Sequence, residues 1–393
     1  MTETRALIVG GGPAGAAVAI ELARAGLPHL LIERNRETGD ALCGGFLSWR
    51  TLDTLARLGI DPDQLNPART TTVRIFAGSR VAHAALPRPA LSVSRRRLDT
   101  VLLAAAVAQG AAVERGVTVR AIEDGQVRTA DGAVIAAPAL FLANGKSDVR
   151  GTARPASARG TDPTLGIRVR IVPPPAMARA LAGQIDLHLF GRGYAGLAMQ
   201  EDGSANLCMA VHRSRLQEAG TPADLLAELG RAIPALGEWV AAIAPDATID
   251  AIANVPYGWR QTTGQAGQYR LGDQAGVIPS LAGEGMGIAL ASGLAAARAY
   301  RTDGAGGSGM AAAAGADARA ADRVGGRGAP GGRKPRCSPA DSLRASRTDP
   351  NARAGDADRR VTRRRAAMNT VDETPGGVRV PRAHTRTACR RRG

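Results

Sequence analysis

The sequence is short of residues that would staple it or hold a metal through a local pattern. Its four cysteines, Cys43, Cys208, Cys337 and Cys389, show no CxxC or paired spacing, which argues against a disulfide framework and a zinc site. The five histidines are scattered, with no HExxH and no i, i+4 pair, so no metal site and no metal catalysis are expected. No apolar run reaches the roughly 18 residues that read as a membrane-spanning helix. A secretory leader is not expected either. No basic run precedes the apolar stretch at 6–20, and a glycine-rich turn is embedded in it. A cytoplasmic location is the expectation that goes with these absences.

The other shortage is regional. From 302 onward there is no Phe, Tyr, Trp or Ile, and a single leucine, Leu343. Such a segment cannot bury enough apolar surface to offset the entropy of ordering it, so 302–393 is expected to be a disordered tail. The formal net charge is +16, yet residues 301–393 alone hold 21 basic and 9 acidic side chains. The basic character therefore belongs to the tail. Its arginines could bind nucleic acid or anionic lipid through counterion release. Without interleaved aromatics for base stacking, nucleic acid is not expected as a partner, whereas peripheral membrane association stays open. A shifted reading frame in GC-rich coding DNA would give the same Arg/Ala/Gly/Pro mixture. The abrupt change just after a well-formed helix favours that origin over selected nucleic-acid binding.

What is present is concentrated near the amino-terminal end of the sequence. Residues 5–34 read as a βαβ unit: an apolar strand, then Gly10-x-Gly12-x-x-Gly15 with Pro13 and Ala14 inside it, a helix, and a second strand ending at Glu33, with Arg34 after it as a further candidate for binding the cofactor. Gly10 suits the tight turn, Gly12 lets backbone approach a pyrophosphate, and Gly15 lets helix and strand pack closely. The helix start offers free N–H groups and a positive dipole end to phosphates. Glu33 stands where a carboxylate accepts hydrogen bonds from an adenosine ribose. Gly26 ends the helix where the second strand must begin.

Farther along, Cys43–Ser48 opens a helix through about Leu58, and two short strands are expected at 72–77 and 81–86. Ser94 caps a helix running to Gln109. Apolar strands at 113–119, including Val119, and 140–143 would extend the nucleotide-binding sheet, with an Asp131-Gly132 hairpin between them. Strand-like runs then recur from 165 to 211, followed by two helices near 222–244. A buried strand at 269–273 and a small-residue helix from Gly285 to Tyr300 close the pattern. The expected fold class is α/β: a Rossmann-like nucleotide-binding domain (1–71, 93–150, 256–301) interrupted by a mostly antiparallel substrate domain (72–92, 151–255). The cleft between them is the default ligand site.

Four segments converge on one likeness: the βαβ unit, Ser94-Arg95-x-x-Leu98-Asp99 at a helix start, the strand ending Ala143-Asn144-Gly145, and Gly272-Asp273 followed by Gly283-Glu284-Gly285-Met286-Gly287. Over residues 4–300 the chain resembles the FAD-dependent oxidoreductases of the geranylgeranyl-reductase and para-hydroxybenzoate-hydroxylase type. The CGGFLS segment, with Cys43 and Gly44, and the GEGMGIALASG helix look most like the reductase branch and the quinone-linked flavoprotein dehydrogenases. The resemblance implies FAD as cofactor. Arg95 would reach its phosphates, Asp273 would lie against the ribityl–phosphate region, and Gly145 would end the strand beneath it. Gly283, Gly285, Met286 and Gly287 would open a helix aimed at the flavin's pyrimidine ring, where its dipole favours negative charge. Cys43 would lie near the isoalloxazine ring, as packing rather than nucleophile.

Only one dinucleotide fingerprint is well placed, so NAD(P)H is expected at most as a transient electron donor, and no acid or base stands out as catalytic. The resemblance implies reduction of a small apolar substrate, an isoprenoid C=C or a quinone. Hydroxylating monooxygenation is the alternative within the class. A catalytically silent FAD-binding protein with a nucleic-acid- or membrane-binding tail is the alternative outside it. The chain also departs from the pattern. At the reductases' Tyr-x-Trp-x-Phe-Pro motif, Tyr194-Ala195-Gly196-Leu197-Ala198 keeps only the tyrosine. The halogenases' Trp-x-Trp-x-Ile-Pro segment is missing, and the basic tail stands in place of the family's C-terminal helical region.

Overall fold

The computed structural model describes residues 2–3 and 5–306. The expected disorder of 302–393 is corrected at its start, where the last helix continues to Asp303 and a further helical turn spans Gly304–Gly306; from 307 on it lies outside the described residues.

A five-stranded parallel sheet runs in the order Gln268–Arg270, Ala139–Leu142, Ala6–Val9, Leu30–Glu33, Ala112–Arg115. The two strands Ala6–Val9 and Ala139–Leu142 are buried throughout, which is why they read as unbroken apolar runs. Alternation splits their side chains between two layers. Ala6, Ile8 and Phe141 pack with Ile20, Leu102 and Leu290 from the helices Pro13–Arg24, Arg95–Ala108 and Gly285–Asp303. Leu7, Val9, Leu140 and Leu142 pack against Ile122, Val127 and Ile135 of a small four-stranded sheet on the other face.

That small sheet overturns one expectation. Val119 does not extend the nucleotide-binding sheet. The strand there ends at Arg115, Gly116 takes a left-handed φ of +81°, and Val119–Glu123 starts an edge of the small sheet. The Asp131-Gly132 turn does join two of its antiparallel strands, Gln126–Thr129 and Val134–Ala136.

The third sheet has eight strands, and all its pairings are antiparallel except Gln184–Phe190 with Thr70–Ala77. On the strand Ala205–His212, Leu207, Met209 and Val211 pack beneath Leu225, Leu229 and Trp239 of the helices Pro222–Ala232 and Pro234–Ala241. Asn206 and Cys208, on alternate positions, face the other way. The expected strand at 81–86 is Arg80–Ser92. Pro87 and Pro89 lie within it, where the register shifts opposite Thr70–Thr72, so their missing N–H groups cost no ladder bond. Two short helices, Pro175–Leu181 and Arg213–Ala219, were not expected, and the last helix runs on to Asp303.

Among the described residues, no helix is long and apolar enough to cross a membrane, and no group of three or more His, Cys, Asp or Glu is placed to hold a metal ion.

Candidate active site

A cavity of about 400 Å³ lies where segments following the parallel strands meet the eight-stranded sheet. Two helix starts reach it. Gly12 caps the first helix without any side-chain hydrogen bond, there is no acidic residue in the first turn, and Gly12, Pro13 and Ala14 line the cavity. Glu284 caps the closing helix, again without a side-chain bond, and Gly283, Gly285 and Met286 line the cavity. First-turn N–H groups left without a side-chain acceptor, at the positive end of a dipole, suit an anionic ligand.

Two of the fingerprint glycines, Gly10 and Gly15, make the turn and the close approach that their spacing implies. Gly10 holds φ at +107°, and a Cβ there would meet Ala143 O at 2.5 Å. At Gly15 a Cβ would lie 1.9 Å from Gly10 O, so only glycine permits this approach of helix to strand. Glu33 sits against the same loop: Oε2 accepts the Gly11 N–H at 2.7 Å and Oε1 accepts the Asn35 N–H at 3.0 Å.

Arg95 opens the helix that Ser94 caps, Ser94 Oγ accepting the Arg97 N–H at 3.0 Å. Ser94 is itself held by Glu201, whose Oε2 accepts the Ser94 N–H at 2.8 Å. The guanidinium forks onto Asp99 and lines the cavity, and a Cβ on Gly12 would stand 3.3 Å from its Nη2. Burial is the largest influence and opposes its charge, but Asp99, with smaller help from Cys43 and Asp273, holds Arg95 above the ordinary arginine value. A second cation, Lys146, places Nζ 3.0 Å from Asp273 Oδ2. Burial is again the largest influence and opposes charge, but Asp273 and Cys43 together raise the lysine's pKa. Arg154, almost fully buried, fastens this corner by donating to Asp273 O at 3.0 Å and Asp148 Oδ1 at 2.8 Å.

The loop before Ser48 brings Cys43 and Gly44 to the cavity. It is stapled to the eight-stranded sheet. Arg168 donates to Asp40 Oδ2 at 2.9 Å, Asp40 O at 2.8 Å and Ala41 O at 3.1 Å, while Asn206 Nδ2 donates to the carbonyls of Cys43 and Gly44, each at 3.0 Å. Cys43 Sγ lies 3.9 Å from Met286 Sδ. Cys208 faces the same cavity, and burial pushes its thiol up to about 12, so it is a neutral wall residue near pH 7.

Of the residues singled out from sequence, the cavity wall contains Gly12, Pro13, Ala14, Cys43, Gly44 and Arg95, with Gly145, Asp273, Gly283, Gly285 and Met286 from later segments. Gly10, Gly15 and Glu33 stand behind it as the loop's framework. Arg34 is at the surface with Nη1 donating to Ser147 Oγ at 3.2 Å. Val119 is in the small sheet. Gly287 faces Thr51, whose Oγ1 would lie 2.6 Å from a Cβ there, so its small size serves helix packing. Sequence reasoning missed Lys146, Tyr257 and Ser280 on the wall, and Arg154 and Arg168 behind it.

Comparison with known proteins agrees with this geometry. Residues 3–134 match the family model of the FAD binding domain. No curated protein matches the sequence. Among solved structures, a probable FAD-dependent monooxygenase from Pseudomonas aeruginosa is 18% identical, with a TM-score of 0.61 over 81% of this chain and 92% of that one. A geranylgeranyl bacteriochlorophyll reductase-like protein from Thermoplasma acidophilum is 21% identical, with a TM-score of 0.63 over 82% and 84%. A flavin-dependent brominase is 17% identical, with a TM-score of 0.62 over 81% and 83%. At such identities the likeness is one of fold. The fold is that of the FAD-dependent oxidoreductases and monooxygenases. FAD is the cofactor that the matched domain binds.

Proposed function

We propose that the chain is an FAD-dependent oxidoreductase that reduces a small apolar substrate, a quinone or an isoprenoid C=C, in the cavity between its parallel and eight-stranded sheets. The observation that carries this reading is the division of the cavity's lining. Its cations and helix starts come from the nucleotide-binding segments. The eight-stranded sheet contributes Ile185, Leu187, Leu197 and Ile252, a wall suited to an apolar body.

The residues fit the cofactor. The N–H groups of Gly12 and Ala14 (Pro13 between them has none) and the Arg95 guanidinium would meet its pyrophosphate, Glu33 its ribose, and the start of the closing helix its pyrimidine edge. Bound FAD supplies two-electron redox chemistry at its isoalloxazine ring. The chain's own part is to bind, to orient and to exclude water: Asp99 holds Arg95 in place, Arg154 fixes the Asp273 turn, and the apolar wall keeps water from the substrate face. Lys146 is held protonated beside Asp273, so it acts as a positive charge rather than a base. NAD(P)H would serve as a visiting donor.

The test begins with the visible absorption spectrum of purified chain supplied with FAD, before and after reductant. A flavin spectrum that bleaches on reduction is expected; colourless, well-folded protein that refuses FAD overturns the reading. NAD(P)H oxidation with a quinone acceptor then fixes the reaction. Oxygen uptake stoichiometric with a hydroxylated product would assign monooxygenation instead.

A further inference from the structure

Three hydroxyl groups from three separate segments meet on the cavity wall. Tyr194 lies on the strand Gly193–Met199, Tyr257 follows the strand Ile249–Val255, and Ser280 begins the short helical turn Ser280–Ala282. Tyr194 Oη is 2.6 Å from Ser280 Oγ, and Tyr257 Oη is 2.5 Å from the same atom. All three side chains line the cavity, with Ile185, Leu187, Val255 and Ile278 also on its wall. A hydroxyl cluster set among such side chains is a directional feature in a non-directional wall.

We propose that Tyr194, Ser280 and Tyr257 form a clasp for the oxygen atom of an otherwise apolar substrate. The substrate class is then rings or chains carrying a hydroxyl or carbonyl group, such as phenols, quinols, quinones and enones, rather than unfunctionalised hydrocarbons. This deepens the function proposed above and rests on it.

The hydrogen-bond inventory supports the clasp. Two bonds among three hydroxyls use two of the three O–H donors, which leaves one donor and several lone pairs for a ligand. Burial, the largest cause, pushes both phenols above the usual tyrosine value, so they stay protonated and able to donate at neutral pH. A carbonyl or hydroxyl oxygen can use that donor, whereas a hydrocarbon would leave it without a partner in an apolar wall. Ser280 also stands three residues before Gly283, so an oxygen held there is beside the segment assigned to the flavin's pyrimidine edge.

The test uses the full, FAD-loaded chain and two probes of equal shape, 2-naphthol and 2-methylnaphthalene. Their dissociation constants are read by equilibrium dialysis and probe fluorescence, and flavin uptake is read by absorption in the same samples. The two readings therefore fail separately. Wild-type protein is expected to bind the naphthol roughly three- to tenfold more tightly, the worth of one neutral hydrogen bond. Ser280→Ala is expected to abolish that ratio, and Tyr194→Phe and Tyr257→Phe to reduce it. Equal affinities in the wild type, no binding of either probe, or a ratio unchanged in Ser280→Ala overturns the clasp. If Ser280→Ala fails to fold, the ratio in Tyr257→Phe decides. A mere brace between sheet and turn would lower the melting temperature in these variants and leave the ratio alone.

Discussion

Arg95 and Asp99 face each other across one helical turn, Nε to Oδ1 at 3.0 Å and Nη2 to Oδ2 at 2.7 Å. Burial raises the Asp99 pKa and works against the charge on Arg95, so each ion depends on the other. Asp99→Asn strands a buried guanidinium and is expected to cost about 3 kcal/mol in urea unfolding. Arg95→Gln leaves Asp99 without its partner and also removes the guanidinium proposed above to meet the cofactor's phosphates. It is expected to weaken FAD binding by about tenfold or more, read by titration of flavin fluorescence.

Two fingerprint glycines should separate stability from cofactor binding. Gly15→Ala drives a Cβ into Gly10 O and is expected to cost about 2 kcal/mol or more in thermal unfolding. Gly12→Ala meets only the Arg95 Nη2 atom, at 3.3 Å, a contact relieved by a shift of a few tenths of an ångström. It is expected to leave the melting temperature almost unchanged while reducing FAD affinity, because the added methyl would enter the cavity wall proposed above for the cofactor's pyrophosphate.

His188 sets a pH dependence of its own. It is buried, stacked on Phe76 at 4.4 Å between ring centroids, and neither ring nitrogen has a hydrogen-bond partner among the described residues. Burial first, and the nearby Arg74 second, lower its pKa from 6.5 to about 4. The unfolded chain therefore takes up a proton at a pH where the folded chain does not. This contribution to stability is full above pH 6.5 and is lost progressively as pH falls toward about 4. His188→Phe is expected to flatten the stability profile across that window and leave the profile above it parallel to wild type, measured by urea unfolding at a series of pH values.

The carboxyl end of the last helix is tied to the core by aromatic contacts. Tyr300 stands edge-on to Phe141 and Tyr269, and the Tyr269 hydroxyl donates to Gly304 O at 3.0 Å. A chain ending at Tyr300 loses that acceptor, and it is expected to be less stable by about 1–3 kcal/mol than one ending at Gly306. Thermal and urea unfolding of the two truncations check this.

The βαβ unit was legible because everything it needs is local. A turn, a close approach and a helix start are each written in a few adjacent residues, and Ser48 and Ser94 mark their helices as caps for the same reason. Alternation likewise revealed most strands of the eight-stranded sheet. Val119 was misplaced because its apolar run continues past Gly116, where the backbone turns although hydropathy does not. Arg154 and Arg168 were invisible for another reason. An arginine among apolar strand residues, as in Thr164–Ile171, reads as a solvated face, and only the folded chain shows Arg168 gripping Asp40 and Ala41. The Tyr194–Ser280–Tyr257 cluster joins positions up to 86 residues apart, and no spacing rule connects them.

The staple between Arg168 and the loop that bears Cys43 makes one short segment answer to two compartments. The same hydrogen bonds join the loop on one side of the cavity to the sheet on the other, so a ligand that shifts the loop would strain them. Thermodynamic linkage fixes the size of the effect in both directions: by whatever factor the cofactor sharpens affinity for the substrate, the substrate must sharpen affinity for the cofactor by the same.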